Sequence, residues 1–567
     1  MRIARFFGIF ISKKPILFVF ALYLIVGVSV YWNLIFYGLA SDEYRGLYMV
    51  KSIFTAPSVK SFKIFFSPYG GQFAVVSILN LFFGFEPAFY YLAGIVLRVI
   101  ASTSVYVLGL KIFKVKTPSF IAGLFTLLAF GGLQSTWPIN SNTYISISLT
   151  CLGFALWFDS LTAESKPVKA KALVAYLLFF LSFAVTPVRM HGLVPLVIIA
   201  ELLALLLRKS SLKPIVLRLA IFLLGLYFLK RMGFLDAYGT AAGVTQTLLN
   251  PAYYLKIENP VGTFLFPLLT YARLIFPESI LSGLFSLFRY LSQNKLIYFS
   301  ILSSPAILFF MLMKKMKHPA ILPPIFYIIL TYLSIRYIPD TFSFERFQVI
   351  ISVFILSFLV VDLLKSLRLK NKIQFLNKVV VYVWPLVFML VPYLSWPFFQ
   401  QQTESRYFTV SVVGISFVVG YLSQKKVFLL LSLIFLFFNI ASSKEYITLW
   451  GKAGLYQKYV NEAFRVMNSE IGDRKDQPRP VVYIKGDGTE FSYLAIVEGG
   501  KERFSLLNDN LSENAQPYFV YSVDEFKDFY QGKSFLKTSG VENYFAFETK
   551  DKKVYSITRE LREYLVR

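Results

Sequence analysis

Residues Lys13 to Phe36 read KKPILFVFALYLIVGVSVYWNLIF: two lysines, then 22 residues without a charge. A helix needs about 20 apolar residues to cross the hydrocarbon core of a bilayer. The run is too long for the apolar core of a secretory leader, and no small-residue cleavage site follows it. It therefore predicts a retained first membrane helix, preceded by a basic N-terminus (Arg2, Arg5, Lys13, Lys14).

The same pattern recurs along the chain. Of 567 residues, 56% are apolar and only 16% charged, against about 25% in soluble proteins. Residues 443–567 hold 19 basic and 19 acidic residues, which leaves 39 basic and 13 acidic for the first 442 positions. The whole net charge of +26 therefore belongs to the apolar part. A nucleic-acid binder would carry such charge on a soluble face, whereas a polytopic membrane protein carries it in short cytoplasmic loops. The pattern excludes the soluble classes and a nucleic-acid partner. Cys151 is alone, which leaves no disulfide framework and no cysteine-based zinc site. His191 and His318 lie outside any HExxH pattern, and no phosphate-binding GxxxxGK[ST] loop occurs.

Seven basic clusters punctuate the apolar runs: Arg2 to Lys14, Lys111 to Lys116, Lys166 to Lys171, Arg208 to Lys213, Lys314 to Lys317, Lys365 to Lys378, and Lys425/Lys426. If all face the cytoplasm, the helices between them go out and return in pairs. This predicts thirteen spans near 16–36, 87–110, 118–134, 142–159, 173–188, 192–208, 214–229, 296–313, 319–337, 347–364, 379–397, 407–423 and 427–442. The expected fold class is an α-helical polytopic membrane protein, N-terminus cytoplasmic, with a transmembrane domain over 1–442 and a long first external loop over 37–86. Stretches 72–85 and 261–290 are expected as interfacial or re-entrant helices, or as a further pair of spans. Residues 443–567 predict a small extracytoplasmic α/β domain: a helix near 445–470, a strand at Val481–Ile484 ending at Gly486-Asp487-Gly488, a hairpin of 544–548 with 553–557, and a last helix over 558–566. No repeat of 20–50 residues is evident, and the inverted halves of many secondary transporters are not visible.

On this topology nine of the 13 acids of the membrane half face outward: Asp42, Glu43, Glu86, Asp236, Glu258, Glu278, Asp340, Glu345 and Glu404. Arg45, Arg189, Arg273, Arg346 and Arg406 accompany them. Polar machinery at one membrane face suits a surface reaction, because a transporter more often places its ionisable groups at mid-depth. Arg98 and Glu201 are the exceptions, each inside an apolar run, and snorkelling or a mutual helix–helix pair accounts for either.

Several stretches carry a resemblance. Asp42-Glu43 opens the first external loop, which closes through Ser67-Pro68-Tyr69-Gly70-Gly71 ahead of Phe83-Gly84. Trp137-Pro138-Ile139 precedes Asn142-Thr143-Tyr144. Val188-Arg189-Met190-His191-Gly192 stands between two middle spans, and Glu404-Ser405-Arg406-Tyr407 begins a late one. In this order they resemble the GT-C superfamily of polytopic glycosyltransferases, over roughly residues 10–440. The protein O-mannosyltransferase and lipid-linked aminoarabinose transferase types are the most similar. Two departures stand out: Ser67-Pro68-Tyr69 replaces a His-Pro-Pro-like turn, and the Trp-Trp-Asp motif of oligosaccharyltransferases is missing, since Trp450 is the tail's only tryptophan. A monosaccharide transferase is favoured over N-glycosylation.

The resemblance implies transfer of a sugar from a polyprenyl-phosphate donor to a lipid, glycan or protein acceptor at the extracytoplasmic face of a bacterial plasma membrane. Phosphate is already a good leaving group, so one carboxylate suffices, taking the acceptor's proton during an inverting displacement. Asp42 or Glu43 is the candidate base. Arg189, Arg346 and Arg406 are the candidate donor-phosphate ligands, because a guanidinium grips phosphate with two parallel bonds. His191, Glu345, Glu404 and Tyr407 are expected in support. Anchoring to lipid headgroups is the other role open to these arginines. The outer carboxylates leave room for a divalent metal, although no Asp-x-Asp pair calls for one. Two other classes stay open: a transporter or flippase of a lipid-linked envelope precursor, and an assembly protein acting through its tail.

Overall fold

The computed structural model describes residues 15–39, 42–55, 62–84, 86–161, 167–234, 259–315, 321–368, 372–395, 406–424, 426–471, 479–485, 515–520, 522–532, 540–550 and 553–566. They fall into two compact units. One comprises Met1–Val30, Phe66–Gly71 and Gly94–Ser443, and the other Tyr31–Phe65, Gln72–Ala93 and Lys444–Arg567.

The chain opens with α1 (Pro15–Tyr31), α2 (Asp42–Thr55), α3 (Gly70–Phe83), α4 (Pro87–Phe113) and α5 (Lys116–Leu128). It continues through α6 (Asn142–Ser160), α7 (Pro167–Val185), α8 (Leu193–Leu206) and α9 (Leu212–Arg231). Next come α10 (Pro260–Ile275), α11 (Glu278–Leu291), α12 (Lys295–Lys315), α13 (Leu322–Tyr337) and α14 (Ser343–Arg368). Last in the first unit are α15 (Lys372–Ser395), α16 (Thr409–Leu422) and the start of α17 (Lys426–Ile471). Helices satisfy their own backbone polar groups, as a hydrocarbon solvent requires.

A helix underlies each of the thirteen expected segments, but among the described residues only eight are long and apolar enough to cross a membrane. The others fall short for readable reasons. α5 has 13 residues because the chain leaves the helix at Ala129, whose backbone is extended, and turns again at Gly132, whose φ is +69°. α6 carries Ser146 and Thr150, which bond to Ser182 of α7; Ser146 and Ser182 each donate to the other's carbonyl, at 2.9 and 2.8 Å. Small and hydroxylated residues let two membrane helices approach closely. Gly153 completes that seam, where a Cβ would come 2.7 Å from the Phe179 ring.

The core of this unit joins α6 to α7, α16 to α5 and α15, and α10 and α13 to α14. Phe125, Phe154, Trp157, Phe179 and Trp384 are buried within it. The segment 72–85 is helical as α3, and 261–290 forms two helices, α10 and α11. α11 buries Leu281, packs Phe285 and Phe288 on Phe347 of α14, and leaves Leu284, Leu287 and Tyr290 exposed, the habit of an interfacial helix.

The second unit contains α2, the end of α17 and a four-stranded sheet in the order β2-β1-β3-β4. β1 is Arg479–Lys485, β2 Ala515–Val520, β3 Phe545–Lys550 and β4 Lys553–Ser556. β1 is parallel to β2 and β3, and β3 pairs with β4 as the expected hairpin, with Glu548 opposite Tyr555. The closing helix α19 (Thr558–Val566) covers Tyr544, Ala546 and Phe526 with Leu561; Phe526 belongs to α18 (Val523–Gly532). The Gly486-Asp487-Gly488 turn lies outside the described residues. In the same unit Trp450 Nε1 donates to the Tyr91 hydroxyl at 3.3 Å, which donates to the Gly38 carbonyl at 3.2 Å. α17 runs unbroken for 46 residues, whereas the sequence divides it at 443. No glycine or proline stands at that junction to stop it.

Candidate active site

The site is built on the turn between α5 and α6. After Gly132 the chain makes two tight turns, Leu133–Thr136 and Pro138–Asn140. Gly132 lies so close to Thr409 that a Cβ would come 2.4 Å from its Oγ1. A buried arginine fastens the first half: Arg98 of α4 donates to the Thr136 hydroxyl at 2.7 Å and to the Ala129 carbonyl at 2.5 Å. Thr136 also meets the Tyr144 hydroxyl at 3.1 Å.

A second arginine fastens the other half. α7 ends at Val185, and the short turn Pro187–Met190 follows Thr186. Asn142 ties that junction down, donating to the Val185 carbonyl at 3.0 Å and to Thr186 Oγ1 at 3.1 Å. Arg189, 7% exposed, reaches back to donate to the Asn140 carbonyl at 3.2 Å and to Asn140 Oδ1 at 2.6 Å. It also donates to the Thr143 hydroxyl.

The third contributor is the turn Arg406–Phe408 before α16. Thr409 Oγ1 lies 2.6 Å from Ser135 Oγ and donates to the Arg406 carbonyl at 3.0 Å, which joins this turn to the first. The guanidinium carbons of Arg189 and Arg406 lie 5.9 and 5.5 Å from the centre of the Tyr407 ring. Tyr69, from the closing stretch of the first loop, packs on Val188 and Tyr407. Gly71 holds that stretch in place: a Cβ there would come 2.0 Å from the Val185 carbonyl oxygen.

Arg189 itself has no carboxylate partner among the described residues. The hydrogen-bond partners of Arg189 are neutral oxygens, the Arg406 charge acts on it, and no ion pair among the described residues includes it. Two other deeply placed cations have carboxylates, Arg218 with Glu201 and Lys378 with Asp362, both at 2.6 Å, while Arg98 and Arg273 bond to neutral oxygens of Thr136, Ala129 and Gln348. Two guanidinium groups around one aromatic ring, in a setting poor in water, favour an anion between them. A phosphate fits this chemistry.

The expected site residues divide accordingly. Arg189, Arg406 and Tyr407 come together. Arg346, at the start of α14, has a carboxylate of its own, Asp340 at 2.7 Å, and donates to the Ile338 carbonyl. Glu345 is half-buried in the first turn of α14. His191 follows the Arg189 turn, its ring 5.8 Å from Phe183. Glu404 and the side chain of Asp42 lie outside the described residues, although Asp42 opens α2. Glu43 is buried at 3% exposure. Arg98 and Glu201 do not form a pair with each other: Arg98 holds the turn, while Glu201 accepts from Trp157, Tyr176 and Arg218.

Of the corner's other residues, Thr143 and Tyr69 stand in stretches quoted for the resemblance without a role of their own, and Asn140 stands in none of them. The signal for Asn140 and Thr143 is an amide and a hydroxyl beside a proline turn in an otherwise apolar run. Among the described residues no group of three His, Cys, Asp or Glu could hold a metal.

No family model matches the chain, and no curated protein matches it. Among solved structures it is similar to ArnT from Cupriavidus metallidurans in the apo state, with 12% identity and a TM-score of 0.32. It is also similar to that protein bound to undecaprenyl phosphate, with 12% identity and a TM-score of 0.30. Both likenesses cover 94% of this chain and 93% of the other. ArnT is a lipid-linked aminoarabinose transferase of the GT-C type that the motifs resemble.

Proposed function

We propose that this chain is a membrane glycosyltransferase that moves a sugar from a polyprenyl-phosphate donor to a lipid, glycan or protein acceptor on the extracytoplasmic face, with inversion. The observation that carries this reading is the pairing of Arg189 and Arg406 around Tyr407, with Arg189 held by neutral oxygens alone. Such a corner favours the doubly bonded grip of a phosphate. It stabilises the phosphate that departs when the anomeric carbon–oxygen bond breaks, and no acid is needed to protonate that leaving group.

On the same reading the acceptor hydroxyl attacks the anomeric carbon from the opposite side and gives its proton to a carboxylate. The base is Asp42 or Glu43, as the sequence implies. Tyr407 and Tyr69 keep the guanidinium planes in register, and His191, Glu345 and Glu404 support the turns that carry the arginines. Arg346, which already has Asp340, serves as an outer contact for the donor.

The test uses the full chain in nanodiscs with a radiolabelled polyprenyl-phosphate sugar and an envelope extract as acceptor. Acceptor-dependent release of polyprenyl phosphate, abolished by Arg406→Lys, is the expected result, because an ammonium keeps the charge but not the fork. Full turnover by Arg406→Lys would reduce Arg406 to a membrane anchor. Translocation of the labelled lipid across vesicles without release would replace the transferase by a flippase.

A further inference from the structure

Away from the arginine corner, among the ends of three helices, lies a cleft of about 230 Å³ lined by Pro15, Phe18, Val19, Tyr106, Lys116, Thr117 and Phe120. It sits where α1 begins, where α4 ends and where α5 begins, all within the first unit. Its walls are mostly apolar, with the Lys116 ammonium and Thr117 hydroxyl at the start of α5. Small-molecule pockets run to roughly 300–1,000 Å³, so this cleft takes a length of hydrocarbon chain rather than a whole ligand.

The charges around it are uncompensated. Lys111 is occupied by Asp159 at 2.8 Å, whereas Lys114 and Lys116 are exposed and belong to no ion pair among the described residues. Lys114 holds left-handed backbone, with φ +57°, in the turn between α4 and α5, a conformation in which glycine is the ordinary residue. Apolar walls under a cationic rim, at the end of a helix bundle in a bilayer, complement one kind of molecule.

We infer that this cleft binds an anionic phospholipid of the leaflet on the lysine-rich side, with an acyl chain between α1 and α5 and the phosphate at Lys116 and Thr117. The inference is independent of the transferase reading, because it uses neither arginine of the corner. Basic pockets between membrane helices select anionic headgroups, and each lysine near such a surface contributes about fivefold in affinity.

Native mass spectrometry of the full chain extracted from bilayers of phosphatidylcholine with phosphatidylglycerol tests it. The expected result is preferential retention of phosphatidylglycerol, reduced about fivefold by Lys116→Gln and lost in Thr117→Trp, which fills the mouth from an exposed position. A melting temperature unchanged in both variants shows that the fold is intact. If either variant fails to fold, lipid-dependent protection of Phe120 from photolabelling by a phosphatidylglycerol probe replaces it. Equal retention of the two lipids, or retention unaffected by both variants, would overturn the site. So would displacement of the bound lipid by undecaprenyl phosphate at equimolar level, which makes the occupant a polyprenyl lipid. Retention that appears only after removal of residues 1–12 makes the N-terminal segment the occupant and also overturns it.

Discussion

Arg189 gives both terminal nitrogens to Asn140, one to its backbone carbonyl at 3.2 Å and one to its side-chain oxygen at 2.6 Å. The two residues are 49 positions apart, on the turns that precede α8 and α6. The contact therefore fixes two helix starts relative to each other and sets the guanidinium plane beside Tyr407 before any ligand arrives. Preorganised charge needs little rearrangement on binding.

Asn140→Asp tests what that charge is for. The substitution keeps the shape of the side chain and places a carboxylate against Arg189, which cancels the positive field. Binding of polyprenyl phosphate in detergent should weaken about tenfold or more, the scale of a hydrogen bond to a charged group. Asn140→Ala should weaken it less, because the charge survives while its orientation loosens. Equal affinities for wild type and Asn140→Asp would remove Arg189 from the ligand.

The helical plan was legible because the cost of burying backbone in hydrocarbon leaves few alternatives, and the lysine clusters mark where runs end. The corner was legible only in part. Arg189, Arg406 and Tyr407 stand out as polar residues at the edges of apolar runs. Asn140 does not, since nothing local says which distant side chain an amide will meet. Arg346 looked equivalent to the other two arginines, and only the fold reveals Asp340 beside it. In the tail, β2 lacks a strand signature in the sequence because Pro517 interrupts it. A proline is tolerated there because β2 is an edge strand.

Gly71 and Gly283 give opposite predictions for the same substitution. At Gly71 a Cβ would come 2.0 Å from the Val185 carbonyl oxygen and 2.8 Å from its carbon, so backbone must move. Gly71→Ala should destabilise by about 1–3 kcal/mol. At Gly283, exposed within α11, a Cβ meets nothing within 4 Å, and Gly283→Ala should gain up to about 1 kcal/mol from helix propensity. Thermal unfolding in detergent compares them directly. A harmless Gly71→Ala would mean that the loop closure is not pinned to α7.

The Glu201 carboxylate is fully buried and accepts from Trp157 at 2.8 Å, Tyr176 at 2.6 Å and Arg218 at 2.8 and 2.6 Å. Removing one partner of a buried pair leaves the other charge without compensation. Glu201→Leu should therefore cost about 3–5 kcal/mol, and adding Arg218→Met should recover much of it. Denaturation of the single and double variants gives the coupling. Additive losses would show that the two charges act separately and that the pair is not what joins α8 to α9.

The last prediction concerns the base. Asp42 opens α2 and Glu43 follows it. Neighbours on a helix point about 100° apart, so only one of them can face an acceptor hydroxyl. The shorter Asp42 is the more easily held in one position, while the Glu43 side chain is buried. Removing a general base lowers turnover about 10²–10⁴-fold, and binding of the donor through arginines should survive it. The expected pattern is that Asp42→Asn loses transfer, binds polyprenyl-phosphate sugar normally and melts as the wild type does. Glu43→Gln, by contrast, should lower the melting temperature more than the turnover, because its carboxylate is packed inside. The reverse pattern, loss of turnover in Glu43→Gln at unchanged stability with a fully active Asp42→Asn, would move the base by one residue and leave the mechanism standing. Full turnover in both variants would remove the base from this loop, and with it the reason for reading the first external segment as catalytic.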